Sequence, residues 1–157
     1  MKKASYFVIA AALAGIDQFI KHIVRQVSEG QVFFSLPPLF ELERATNTGA
    51  AFSLFSSGQF TVMLISALLL VLLSVYLLRQ KHLSALACLA ISGLLGGGLG
   101  NLLDRILYGG VTDYIKLLFI RFPIFNFADI CVTLSVIVLT LLLLFERATE
   151  NVEKEHG

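Results

Sequence analysis

Three apolar runs, each long enough to cross a bilayer, constrain the fold of this chain more than any other feature. A spanning α-helix needs about 20 mostly apolar residues, and the runs at 60–78, 84–103 and 127–145 meet that length. Apolar residues make up 57% of the chain, against roughly 45–50% in soluble domains. The three runs therefore predict three membrane-spanning helices.

A fourth apolar run starts close to the N-terminus and is more ambiguous. The run at 4–16 follows two lysines, a pattern that also fits a signal peptide. The apolar pattern continues to Val24, which gives about 20 residues, so we predict a retained helix. The expected fold is mainly α: a polytopic membrane protein with one membrane domain over 1–157 and four transmembrane helices at about 4–24, 60–78, 84–106 and 126–146.

The segments between these helices, at about 25–59 and 107–125, predict additional structure outside the membrane. Partly alternating runs at 31–34 and 40–44 are separated by two prolines, which indicates a small extracytoplasmic β-sheet. The apolar stretch at 114–122 is too short to span a bilayer. We expect it to form an outer loop that lies at the membrane interface.

The distribution of lysine and arginine predicts the orientation. Four spans place both termini on one side, and basic residues are densest in the termini and in the short loop after Arg79. Cytoplasmic segments carry this excess, so we expect cytoplasmic termini. The formal net charge of +1, with no basic stripe, argues against nucleic acid as a partner.

Several polar side chains lie where the spans meet the outer side, and burying them costs free energy unless they are paired or hydrated. Asp17 and Lys21 are spaced i,i+4, and a structural ion pair is the favoured interpretation. Asn101, Asp104 and Arg105 follow a glycine-rich stretch that permits close helix packing. Asp104 beside Arg105 fits an interfacial anchor as well as a substrate-binding pair.

Asp113 and Asp129 form the arrangement with the clearest chemistry. Both are expected at the outer boundary, and Asn126 shares a helix face with Asp129. Two carboxyl groups that share a proton suit peptide hydrolysis, because one takes a proton from water while the other polarises the scissile carbonyl. Intramembrane acids also serve as proton relays, so a proton-coupled transporter and a non-catalytic lipid-binding or assembly subunit stay open on chemistry alone.

Other hydrolytic chemistries lack their motifs. His22, His82 and His156 are isolated, no His-Glu-x-x-His occurs, and no serine lies in Gly-x-Ser-x-Gly. The glycines at 96–100 lack the Lys-Ser/Thr end of a phosphate-binding loop. Neither a metalloprotease nor a serine hydrolase is indicated.

Five blocks, at 17–21, 47–53, 100–105, 111–114 and 125–129, together resemble the bacterial lipoprotein signal peptidases, also called signal peptidase II. The resemblance covers almost the whole chain. It implies an aspartic endopeptidase with an outer β-cradle over 28–57, and an outer loop around 114–122 that is able to close over substrate.

The resemblance also implies roles for individual residues. Asp113 and Asp129 would be catalytic. The substrate-binding residues would be Asn47, Asn101, Arg105 and Asn126, supported by Asp17, Lys21 and Asp104. The implied substrate is a diacylglyceryl-modified prolipoprotein, cut on the N-terminal side of its lipid-bearing cysteine, with its lipid between helices at the bilayer edge. No metal or other cofactor is implied, and we expect a monomer in the bacterial cytoplasmic (inner) membrane with its active site near the outer face.

Overall fold

Four helices and three strands make up the described part of the chain, residues 2–49 and 58–156 of a computed structural model, in which side chains are described as far as Glu146. Each of the four helices is long and apolar enough to cross a membrane. The predicted fold class is therefore confirmed. Residues 50–53 of the second sequence block lie outside the described residues. In chain order the elements are α1 (Lys3–Val24), β1 (Val32–Leu36), β2 (Phe40–Asn47), α2 (Gly58–Arg79), α3 (Ala85–Tyr108), β3 (Val111–Leu117) and α4 (Phe127–His156).

Helix α3 lies at the centre of the bundle and contacts the other three helices. Its glycines make this possible, because side chains at these positions would collide with the neighbours. A Cβ at Gly96 would lie 2.7 Å from the carbonyl oxygen of Ala10 in α1, and one at Gly97 would lie 2.5 Å from that of Ala128 in α4. Gly98 faces α2, where a Cβ would lie 2.8 Å from a methyl group of Leu70.

The ends of the helices show how the bundle is arranged. The ammonium group of Lys3 donates hydrogen bonds to the carbonyl oxygens of Leu77 and Gln80, so the start of α1 lies beside the end of α2. At the opposite end, Gly109 terminates α3 in the left-handed conformation, with φ of 72°, which glycine adopts without steric cost. The chain then passes directly into β3.

The three strands form one antiparallel sheet in the order β1-β2-β3. Its first two strands come from the segment that predicted a sheet. The third, Val111–Leu117, comes from the segment in which only an interfacial loop was expected. Residues 111–114 are buried on both faces of β3, so the alternation that identifies a half-buried strand is missing there. The pairing of β3 with β2 fixes the position of Asp113 opposite Ala45.

Candidate active site

The N-terminus of α4 is held by three side chains, two of them from other elements. The first N–H groups of a helix have no partner within the helix and need acceptors from elsewhere. The first three N–H groups of α4 donate, in order along the helix, to Tyr114 of β3 (3.1 Å), Asp17 of α1 (3.1 Å) and Asn126, the residue that precedes α4 (3.0 Å). The start of α4 is therefore fixed relative to both β3 and α1.

Asp129 lies in this first turn and is held on both of its carboxyl oxygens. Its Oδ2 accepts a hydrogen bond from the backbone N–H of Asn126 (3.1 Å), while its own N–H donates to the Asn126 side chain. This reciprocal arrangement is a capping box, here built from asparagine and aspartate. Its Oδ1 accepts from the side-chain amide of Asn101 in α3 (2.8 Å).

Asp113 in β3 binds the same asparagine from the other side. Its Oδ1 accepts a hydrogen bond from Nδ2 of Asn126 at 2.6 Å. Burial raises the pKa of Asp113 from its usual 3.8 to about 6, the hydrogen bond from Asn126 opposes that rise, and the charge of Asp129 adds to it. Asn126 thus bridges the two carboxyl groups.

The orientation of the Asn101 amide follows from Lys21. An ammonium group only donates hydrogen bonds, so the atom of Asn101 that lies 2.8 Å from Nζ of Lys21 is its oxygen. The same oxygen accepts from Asn126 (3.1 Å). The nitrogen of Asn101 therefore faces Asp129, and a chain of donors runs from Lys21 through Asn101 to Asp129.

A buried cluster of charged side chains lies next to this network, inside the helix bundle. Lys21 lies 2.9 Å from Asp17 and 3.7 Å from Asp104, and all three side chains are fully buried. This geometry fits the interpretation of Asp17 and Lys21 as a structural pair. Asp104 accepts from the backbone N–H of Thr112 (2.8 Å) and from Arg25 (3.2 Å), so it ties the start of β3 to α3 and α1. Because Thr112 immediately precedes Asp113, this hydrogen bond also helps to fix the backbone at Asp113.

Asn47 and Arg105 lie around the two carboxyl groups but outside the bridge. Asn47 ends β2 opposite Val111, and its side-chain oxygen accepts from the N–H of Gly49 (3.0 Å). Arg105 is half-buried and donates to the carbonyl oxygen of Asn101 (3.2 Å). Among the described ion pairs Asp104 joins Lys21 and Arg25 and not Arg105, so the adjacent acid and base have separate partners.

A cavity of about 450 Å³ opens beside the two carboxyl groups. Its polar end is formed by Asn47, Asp113 and Asp129. The remainder is mostly apolar and lies between β3, the segment before α4 and the first turns of α4; it is lined by Leu117, Phe122, Pro123, Ile124, Phe125, Ile130, Thr133 and Leu134. A mostly apolar cavity with a few polar groups at one end is typical of a ligand-binding site.

Four residues of the site were assigned no role from the sequence. Three of them donate hydrogen bonds to Asp104, and the fourth accepts from the first N–H of α4. Arg25 lies four residues after Lys21, and this i,i+4 spacing could have indicated it. The other three lie inside the 17–21 and 111–114 blocks, beside residues to which a role was assigned. The four residues are Gln18, Arg25, Thr112 and Tyr114.

Comparisons with known proteins agree on one family. The sequence profile of the family described as Signal peptidase (SPase) II matches residues 9–145. A lipoprotein signal peptidase of Streptococcus thermophilus is 35% identical over 144 residues, which cover 91% of this chain and 94% of that protein. One of Gloeobacter violaceus is 40% identical over 85% of this chain and 78% of that protein.

The fold agrees as well. A solved bacterial membrane enzyme superposes with a TM-score of 0.83 at 31% sequence identity, over 90% of this chain and 93% of that one. A second solved bacterial membrane enzyme gives a TM-score of 0.84 at 30% identity. This chain is a multi-pass membrane protein that belongs to the signal peptidase II family.

Proposed function

We propose that this protein is an intramembrane aspartic endopeptidase that removes signal peptides from diacylglyceryl-modified prolipoproteins, with Asp113 and Asp129 as its catalytic pair. The observation that carries the proposal is the bridge made by Asn126. It binds one carboxyl group through its side chain and the other through its backbone, at the polar end of the apolar cavity. Two acids held together in this way can share one proton.

The proposed reaction uses a water molecule between the two carboxyl groups. Asp129 takes a proton from the water as the water oxygen attacks the scissile carbonyl carbon. Protonated Asp113 donates a hydrogen bond to the carbonyl oxygen. Collapse of the tetrahedral intermediate breaks the C–N bond, and Asp129 returns the proton to the leaving amine. The pKa of about 6 at Asp113 favours it as the proton-bearing member.

The substrate class rests on the relatives and on the shape of the cavity. The matched relatives are named lipoprotein signal peptidases, and the apolar wall of the cavity suits the lipid and the apolar part of a signal peptide. Cleavage on the N-terminal side of the lipid-bearing cysteine would leave that cysteine as the new N-terminus.

The proposed substrate-binding residues differ in how free they are to contact a peptide. Asn101 and Asn126 bind the two carboxyl groups, so their main contribution is to hold them. Asn47 lines the cavity and Arg105 lies close enough to both acids to interact electrostatically with them. These two are the better candidates for contacts with the peptide carbonyls.

We further propose that the protein lies in the bacterial inner membrane as a monomer, with cytoplasmic termini and the active site near the outer face. The basic residues of the termini support this orientation, as does the position of the sheet and both acids at the opposite end from Lys3. Labelling of single added cysteines with a membrane-impermeant reagent tests it. A cysteine at Gln31 should react from outside, and one at Lys81 only after the membrane is opened.

Cleavage of a purified lipidated precursor tests the catalytic pair. Asp113→Asn and Asp129→Asn should each abolish cleavage, because an amide can neither take a proton from the attacking water nor return it to the leaving amine. Both variants should still insert and fold. Glu41→Gln, which removes an acid on the sheet far from the bridge, should cleave at the wild-type rate. Full activity of either aspartate variant would refute the assignment.

A further inference from the structure

The loop between β3 and α4 has an unusual surface. Of its six residues at 118–123, only Arg121 is polar. Phe119 is 66% exposed, and Ile120 and Phe122 are about half exposed (46% and 52%). A loop that faces water is normally rich in polar and turn-forming residues, so this 118–123 loop has more exposed apolar surface than water would favour.

Backbone hydrogen bonds hold both ends of the loop. At its start, the N–H of Leu118 donates to the carbonyl oxygen of Leu39 (3.0 Å). At its end, Phe125 pairs with Ile115 in both directions, at 2.8 and 3.0 Å. The rings of Phe122 and Phe125 stack edge to face, with 5.7 Å between their centroids. The apolar tip is therefore presented by a fixed base.

The position of the loop relates it to the membrane. Phe122 borders the same cavity as Thr133 and Leu134 of α4, and Leu134 lies seven residues into that spanning helix, about 10 Å along its axis. Leu134 is itself 57% exposed. The loop thus lies beside the outer turns of α4, and its apolar surface is continuous with the exposed apolar surface of a membrane span.

We propose that the 118–123 loop inserts its apolar tip, Phe119 and Ile120, into the phospholipid leaflet next to α4. Arg121, which has no ion pair among the described residues, would reach the phosphate groups. Aromatic and aliphatic residues with an adjacent cation are the combination that binds at the membrane interface. The inserted loop would form a wall of the cavity at the level from which a lipid-bearing substrate enters.

These observations favour lipid as the partner of the apolar loop tip, over a second copy of the chain or the substrate. The exposed surface continues that of α4, which any membrane-embedded copy must present to lipid. This inference does not depend on which residues catalyse. An Asp113→Asn background therefore separates the two proposals, because loss of cleavage should leave insertion unchanged.

The chain contains no tryptophan, so one introduced residue gives an unambiguous fluorescence signal. Phe119→Trp is reconstituted as the full chain in vesicles of phosphatidylcholine and phosphatidylglycerol. Leu72→Trp, on the exposed side of α2, is the bilayer control, and Gln31→Trp, exposed in the polar segment 28–31 before β1, is the water control. We expect blue-shifted emission from Phe119→Trp, a large loss of emission with lipids brominated near the headgroup, and little loss with aqueous iodide.

The opposite pattern would overturn the proposal. If iodide quenches Phe119→Trp as strongly as Gln31→Trp and brominated lipid does not, the loop lies in water. A blue shift that depends on the ratio of protein to lipid would point to a second copy, and one that needs added precursor would point to substrate; either result also contradicts insertion. If Phe119→Trp fails to fold, Ile120→Trp gives the same measurement.

Discussion

Asn126 and Asp129 bond to each other in both directions across the first turn of α4, and Asn126 also binds Asp113. The capping box therefore does more than end a helix. Because it fixes the side chain of Asp129 relative to the backbone of Asn126, and because the amide of Asn126 reaches β3, one asparagine sets how the two carboxyl groups face each other. Their geometry is established before any substrate binds, which is the condition for efficient acid–base chemistry.

The raised pKa of Asp113 predicts the pH dependence of cleavage. Asp113 holds a proton below a pKa of about 6 and loses it above, so kcat/KM should fall as pH rises through this range if the protonated form is required. The hydrogen bond from Asn47 lowers the pKa of Asp113. Asn47→Ala should therefore move the fall in kcat/KM to higher pH. A pH profile with lipidated precursor measures both, and a profile that Asn47→Ala leaves in place would contradict the assignment.

The same shift predicts that ionised Asp113 destabilises the fold. A carboxyl group whose folded pKa of about 6 lies above its usual 3.8 destabilises the native state once it ionises, so stability declines as pH rises from about 4 to 6. Asp113→Asn removes this penalty, by up to roughly 3 kcal/mol, and still accepts from Asn126. Its thermal midpoint in detergent should exceed the wild type at pH 8 and lose that advantage at pH 4. Asp113→Ala, which lacks the acceptor, should show a smaller gain or none.

How much of this site the sequence could predict depends on the distance between interacting residues along the chain. Helices were predictable because the length of an apolar run is a local property of the sequence. Asp113 and Asp129 could be identified because a charged residue beside a membrane span costs free energy and is therefore a candidate for function. The bonds of Asp17 to the start of α4 and of Tyr114 to the same turn were not predictable. They join residues that only the folded bundle brings together. Strand β3 was missed because its buried first half shows no alternation.

Replacing Lys21 tests the buried charge cluster. Lys21→Met leaves Asp17 without its cation in a fully buried site, and removal of one partner of a buried ion pair typically costs about 3–5 kcal/mol. The double variant with Asp17→Asn should recover part of this loss, since the amide oxygen still accepts from α4. Lys116→Met is the matched control: Lys116 is 40% exposed and its partners Glu41 and Glu43 are only partly buried, so we expect a much smaller fall in the unfolding midpoint. Equal effects at Lys21 and Lys116 would contradict a structural role for the buried cluster.

Two glycine-to-alanine variants separate close packing from helix propensity. A Cβ at Gly100 would lie 2.4 Å from Oδ2 of Asp17, so Gly100→Ala must displace the carboxylate that pairs with Lys21 and caps α4. Overpacking of this kind costs typically about 1–3 kcal/mol, and we expect cleavage to fall as α4 shifts. Gly15→Ala adds the same methyl group to α1 with nothing within 4 Å, and it should be neutral or stabilising by up to about 1 kcal/mol. Equal midpoints for the two variants would refute the steric explanation.

Tyr114 should be a positioning residue for Asp129, and a single hydroxyl group tests this. The pKa of Tyr114 is raised to about 12 by burial, so the hydroxyl stays neutral at working pH while its oxygen accepts from the first N–H of α4. Tyr114→Phe leaves that buried N–H unpaired, which costs about 1–3 kcal/mol, and frees the turn that carries Asp129. We expect kcat to fall several-fold while KM changes little, because the apolar wall proposed to bind substrate is unchanged. Tyr108→Phe is the matched control, since its exposed ring packs under Arg25 without help from the hydroxyl, and it should keep wild-type kcat. A wild-type kcat in Tyr114→Phe would show that Asp129 is held in place without the Tyr114 hydroxyl.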